Sequence, residues 1–149
     1  MGLSTDKKGH KMIKYKLLHN YATEPARATE GSAGFDLYAT DNHQVWPGAQ
    51  VKIPTGISLD IPEGYAGFIW PRSGMAVKYG FDILAGLIDS DFRGEIMVAA
   101  INHGERPIEI RRGDRVAQIV FSPVLTLAAM TDDIEETERG AGGFGSTGV

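Results

Sequence analysis

The chain has 149 residues, 42% of them hydrophobic and 23% charged, which is enough apolar material for one core but not for two. A formal net charge of −4 and a pI near 5.5 exclude a whole-surface attraction for nucleic acid, which needs a basic face. The absence of cysteine excludes a disulfide framework, a cysteine-ligated zinc site and a thiol nucleophile.

Residues 1–11 are polar and aperiodic, without the apolar stretch of a secretory signal. Met12 resembles a second start. Residues 1–11 are therefore expected to be a disordered extension or an expression remnant. No run approaches the roughly 18 apolar residues of a membrane span, and the chain reads as cytoplasmic.

From Ile13 the pattern is that of strands. Residues 13–17 and 57–61 alternate, and residues 68–70, 96–101, 108–110 and 116–121 are short apolar or alternating runs. Breakers lie between them: Pro47-Gly48, Pro54-Thr55-Gly56, Pro62-Glu63-Gly64, Asn102-His103-Gly104 and Arg112-Gly113-Asp114. Short strands at this spacing predict an all-β barrel or jelly-roll-like sandwich. Residues 73–80 alone read as a short helix, with Ser73 as N-cap and Gly80 as the left-handed residue that ends it. Residues 125–130 are apolar and are expected to form a last strand. An acidic run follows, then a tail with five glycines between Gly140 and Gly148, which is costly to order and is expected to be a mobile arm. The division is thus 1–11, a β domain over 12–131, and an arm over 132–149.

Five segments offer chemistry. In Gly34-Phe35-Asp36-Leu37-Tyr38-Ala39 an acid lies in an apolar strand, either as a buried charge held by an arginine or as an outer partner of a phosphate-bound metal. Pro71-Arg72-Ser73-Gly74 puts an arginine and a hydroxyl at a helix start, an arrangement suited to anions. Taken alone, the tetrapeptide is better explained as a capped helix with Arg72 on the surface. In Gly86-Leu87-Ile88-Asp89-Ser90-Asp91-Phe92-Arg93-Gly94, Asp89 follows two apolar residues. A partly enclosed Asp89 suits a general base towards water, and an extended chain places Asp91 on the same side. The alternative is a hairpin in which Asp89 or Asp91 caps the turn and pairs with Arg93. Arg111-Arg112-Gly113-Asp114-Arg115-Val116-Ala117-Gln118 reads most simply as a charged turn feeding a strand. Its unexpected residue is Gln118, a polar amide in an apolar run that either faces solvent or serves a site. Finally, residues 139–148 combine Arg139, hydroxyls at Ser146 and Thr147, glycines that let backbone N–H groups approach phosphate, and Phe144, on which a base can stack.

In this order the five segments resemble the motifs of the trimeric dUTPase family, over nearly everything from Ile13 to Gly148. The resemblance implies a distorted jelly-roll of β-clip type with one short helix and a mobile C-terminal arm. It implies a homotrimer with active sites shared between subunits. The implied reaction is hydrolysis of dUTP to dUMP and pyrophosphate, which limits uracil in DNA and supplies dUMP for dTMP synthesis. Asp89 would then orient and deprotonate the water that attacks the α-phosphorus, and would contact the sugar. Phe92 would lie under the deoxyribose. Ile83, Gly86, Leu87 and Ile88 would face uracil through the main chain, and Met97 would approach the nucleotide. Arg72, Ser73, Gly74 and Gln118 would hold phosphates. Arg139, Phe144, Gly145, Ser146 and Thr147 would form the lid. Mg2+ would ride on the phosphates, with Asp36 in its outer shell at most. The family usually has tyrosine where this chain has Phe92, and often an amide at the place of Ile83. A dCTP deaminase would share the second motif but needs an acid/base glutamate over the cytosine, and the segment 86–94 has none. A trimer that captures nucleotide as a signal is a further alternative.

Overall fold

The structure is a computed structural model and describes Thr5, Gly9 and residues 11–143. The described residues form the strands β1 (Lys14–Leu17), β2 (Phe35–Tyr38), β3 (His43–Val45), β4 (Gln50–Asp60), β5 (Tyr65–Trp70), β6 (Phe81–Ile83), β7 (Leu87–Ile88), β8 (Glu95–Asn102), β9 (Ile108–Ile110) and β10 (Arg115–Pro123). One helix, α1 (Ser73–Tyr79), separates β5 from β6. The strands make two four-stranded sheets, ordered β1-β4-β8-β6 and β2-β10-β5-β7, and a ribbon β3-β9. All pairings are antiparallel. The mostly-β, jelly-roll-like architecture expected from the spacing is present. No helix of the described residues is long and apolar enough to cross a membrane.

The core follows from period-2 patterning. Along β8, Ile96, Val98, Ala100 and Asn102 turn inward, while Glu95, Met97, Ala99 and Ile101 are half-buried on the other face. Strand β10 departs from strict alternation, since Val116 and Ala117 are both buried. The register against β2 shifts between Arg115 and Ala117, a bulge that turns two consecutive side chains inward. Gln118 is left half-buried beyond it.

Several expectations need correction. Pro54-Thr55-Gly56 does not break a strand, because β4 runs through it with an irregularity between Pro54 and Ser58. The backbone groups freed there find other partners. The Pro54 carbonyl accepts from Thr40 N and Oγ1, and Gly56 N donates to Glu95 Oε1 at 2.8 Å. Gly56 has φ +69°, and a Cβ there would stand 2.6 Å from that of Ala22. Ser73 is not the N-cap. Arg72 holds that position in extended geometry (φ −77°, ψ 135°) without a side-chain cap bond, so Ser73 begins the helix proper. Gly80 does end it in the left-handed region, at φ 66°. Residues 125–130 form no strand. Leu125, Leu127 and Met130 are at least 95% exposed, and no strand among the described residues pairs with them. The alternation of residues 13–17 does give β1, but all four of its residues are exposed and only Ile13 beside them packs on the core.

Asn102 is a buried polar anchor. Its Nδ2 donates to the carbonyls of Val45 and Arg106, both at 2.8 Å, and its Oδ1 accepts from Gly104 N at 2.8 Å. Replacement by alanine strands three main-chain groups and opens a cavity. Asn102→Ala is expected to lower unfolding free energy by about 3 kcal/mol, read from urea denaturation at matched protein concentration. An unchanged midpoint would exclude the anchor.

Candidate active site

Strand register gathers three of the five segments. Gln118 of β10 lies opposite Asp36 of β2 on one side and Trp70 of β5 on the other. Pro71-Arg72-Ser73-Gly74 leaves the end of β5 directly after Trp70, so it meets Asp36 and Gln118 at one end of the sheet. Asp36 is 7% exposed. Its Oδ1 accepts from Arg72 Nε at 3.0 Å, and Oδ2 from Arg115 at 3.4 Å. Of the two readings of Asp36, the buried charge held by arginine is the one realised. Bonding through Nε leaves the terminal nitrogens of Arg72 for other partners. Gln118 Nε2 donates to the Pro71 carbonyl at 3.1 Å, which ties β10 to the turn before the helix. Gly34 leaves room for that amide, since a Cβ there would stand 2.6 Å from Gln118 Oε1.

The result is a groove of about 370 Å³ lined by Gly34, Asp36, Arg72, Ser73, Gly74 and Gln118, with Ala28 and Ser32 at its edge. Arg72, the Ser73 hydroxyl and the unused first N–H groups of α1 all suit an anion.

The segment 83–88 lies in a second depression. Ile83, Gly86 and Leu87 line about 280 Å³ with Trp70, Pro71 and Ala85. Ile88 pairs with Gly67, and the Gly86 carbonyl accepts from Ile69 N at 2.8 Å. Gly86 has φ +96°, and a Cβ there would come within 2.9 Å of the Ile69 carbonyl oxygen. Ala85 precedes it at φ 59° and is the one positive-φ residue other than glycine among the described residues. No sequence signal marks it, because alanine has no preference for the left-handed region. Two positive-φ residues in succession thus shape the turn between β6 and β7.

Asp89 lies in a third, open depression of about 890 Å³, with Asp91, Arg93 and Asp60. The expected enclosure of Asp89 is absent, since its side chain is exposed. The segment is not extended there. Phe92 N donates to the Asp89 carbonyl at 3.2 Å, closing a turn. Arg93 pairs with neither Asp89 nor Asp91. It bonds Asp60 Oδ1 at 2.9 Å and the carbonyls of Ser90 and Phe92. Phe92 is 43% exposed. Met97 is half-buried opposite Pro54 and lines none of these depressions. Arg139 is exposed, with Nε donating to the Gly142 carbonyl at 2.9 Å. Phe144, Gly145, Ser146 and Thr147 lie outside the described residues. Among the described residues, no group of three or more acidic or histidine side chains is placed to hold a metal ion.

One chain thus brings together Asp36, Arg72, Ser73, Gly74 and Gln118, and keeps Asp89 apart from them. An all-β sheet pair with an arginine-bearing groove suited to anions and a separate open carboxylate loop is an arrangement that a phosphate-bearing ligand fits. The family model for dUTPase matches residues 20–148, and the chain belongs to the dUTPase family. It is 45% identical to the deoxyuridine 5'-triphosphate nucleotidohydrolase of Paramecium bursaria Chlorella virus 1, over 90% of this chain and 96% of that one. Its fold is similar to that of the Staphylococcus bacteriophage 80alpha dUTPase with dUPNHPP, with TM-score 0.87, 27% identity, and coverage of 94% and 100%. It is also similar to a mutant dUTPase from phage phi11 of S. aureus whose structure reveals the coordination of a structural Mg(II) ion, with TM-score 0.75, 25% identity, and coverage of 86% and 99%.

The Asp36 clamp is testable by a double-mutant cycle. Asp36→Asn is expected to cost about 1–3 kcal/mol of stability. Its coupling with Arg72→Gln should be about 1 kcal/mol in urea unfolding. Additive effects would mean that the pair contributes nothing.

Proposed function

We propose that the protein hydrolyses dUTP to dUMP and pyrophosphate through a site assembled between copies of the chain. Family membership supplies the reaction. The observation that supports the assignment of roles is the Gln118–Asp36–Trp70 register, which gathers Arg72, Ser73, Gly74 and Gln118 along one groove. In this reading Arg72, Ser73, Gly74 and Gln118 hold the triphosphate. Asp89 takes a proton from the attacking water. The new P–O bond forms at the α-phosphorus as the bond to the bridging oxygen breaks, and pyrophosphate leaves. Phosphoryl chemistry of this kind depends on positioning and charge neutralisation, which suits an open carboxylate brought close on assembly. The main chain around Ile83, Gly86, Leu87 and Ile88 reads uracil, Phe92 lies under the sugar, and Met97 borders the nucleotide.

A site shared in a homotrimer is favoured by the separation of Asp89 from the groove within one chain. Arg139 and residues 144–147 then close over the substrate as a lid. A Mg2+ ion on the substrate phosphates would neutralise their charge and fix their conformation, and such an ion needs few protein ligands. The described residues fit that arrangement, because the Asp36 carboxylate is already engaged by Arg72 and Arg115. Asp36 acts at most on the ion's outer shell.

Pyrophosphate release from dUTP, dTTP, dCTP and UTP tests the reading. The parent protein should turn over dUTP far faster than the others, and no release from dUTP would end the proposal. Asp89→Asn should lower kcat by about 10²–10⁴-fold. Removal of residues 139–149 should lower it about 100-fold, and full activity in the truncated chain would end the lid role. Mixing inactive Asp89→Asn and Arg72→Ala chains after unfolding and reassembly should restore activity if the two residues act in one shared site. Absence of any recovery would place both functions in a single chain.

A further inference from the structure

We infer that Gly94 is a positioning residue for sugar discrimination, because its bare α-carbon is the seat on which the Phe92 ring rests. This rests on the reading of Phe92 as the surface beneath the deoxyribose. A Cβ at Gly94 would stand 2.6 Å from Phe92 Cζ, 3.0 Å from Cε2 and 3.4 Å from Cε1. The ring edge therefore reaches back over the residue two places later, into volume that any side chain would fill. The backbone of Gly94 gives no reason for glycine, since it is not among the glycines with positive φ.

The chain around it is held on both sides. Arg93 grips the Ser90 carbonyl at 2.6 Å, the Phe92 carbonyl at 3.2 Å and Asp60 at 2.9 Å. Ser58 Oγ donates to the Arg93 carbonyl at 2.7 Å, and Glu95 is registered against Ser58 at the start of β8. A methyl group at position 94 meets the free end of a half-exposed side chain on one side and a fastened backbone on the other. The ring moves and the turn stays. Phe92 has no hydroxyl with which to anchor itself, so its pose is set by contact alone. Displacing it opens space where a 2′-hydroxyl is otherwise refused, and leaves Asp89 in the same fastened turn.

The test is the ratio of kcat/KM for dUTP to that for UTP, measured by pyrophosphate release for the parent, Gly94→Ala, Phe92→Ala and the double variant. The ratio cancels the fraction of active protein, so partial misfolding of one variant does not affect it. Gly94→Ala is expected to lower the ratio about tenfold, consistent with the sensitivity of such sites to displacements of about 1 Å. Phe92→Ala should lower it at least as far. In the Phe92→Ala background the added methyl should have no further effect, since there is no ring to displace. If Phe92→Ala lowers the ratio and Gly94→Ala does not, the seat is wrong and the role of Phe92 stands. If neither changes it, the role of Phe92 falls and the seat with it. If Gly94→Ala lowers the ratio equally with and without the ring, the methyl acts by another route and the inference is overturned.

Discussion

The charge clamp at Asp36 is what the anion groove depends on. A carboxylate almost closed to solvent must be compensated, and here one oxygen faces Arg72 and the other Arg115. Each arginine comes from a different segment, so one acid fixes the positions of three. The strands supply the other half of the constraint. Because Gln118 is registered with both Asp36 and Trp70, a slip of one residue in β10 would invert every side chain between them. It would also carry Gln118 away from the Pro71 carbonyl. The bulge between Arg115 and Ala117 reconciles two demands on one strand. It buries Val116 and Ala117 together while Arg115 still reaches the clamp.

Local chemistry was readable wherever it was decided locally. The alternation in residues 96–101 marks β8, the apolar run at 116–121 marks β10, and Gly80 ends α1 as a left-handed glycine should. The five segments stand in one order along the chain, and that order points to the dUTPase family whose model matches residues 20–148. What the sequence hid was set by distant partners. Pro54-Thr55-Gly56 reads as a breaker until Glu95 is seen to accept from Gly56 N, across 39 positions. Ser73 has the composition of a cap, but the turn tied down by Gln118 gives that geometry to Arg72. Residues 125–130 have the hydrophobicity of a strand and no edge to pair with. Asp89 follows two apolar residues yet is exposed, because the turn closed by Phe92 N leads the chain away from the core. The left-handed Ala85 leaves no trace in composition at all.

The separation of the depressions explains why each segment, read alone, had a bland alternative. A surface arginine, a charged turn and an exposed acid are each ordinary features of a single chain. In the proposed assembly they would take on a common purpose, with the groove at the end of β5 and the loop after β7 facing the same ligand.

Ala85 bears on the entropy of recognition. A non-glycine residue in the left-handed region raises the energy of the native loop by about 1 kcal/mol. That cost falls once, when the chain folds, and the packed Gly86 beside it allows little relaxation. The peptide groups of 84–86 are thereby oriented before any ligand arrives. In the proposed site, where uracil meets this loop, the base would encounter fixed dipoles, and little conformational freedom would be surrendered on binding. A relaxed loop of the same composition would make the same hydrogen bonds with weaker net attraction. It would also discriminate less sharply between bases whose edges differ by a single donor.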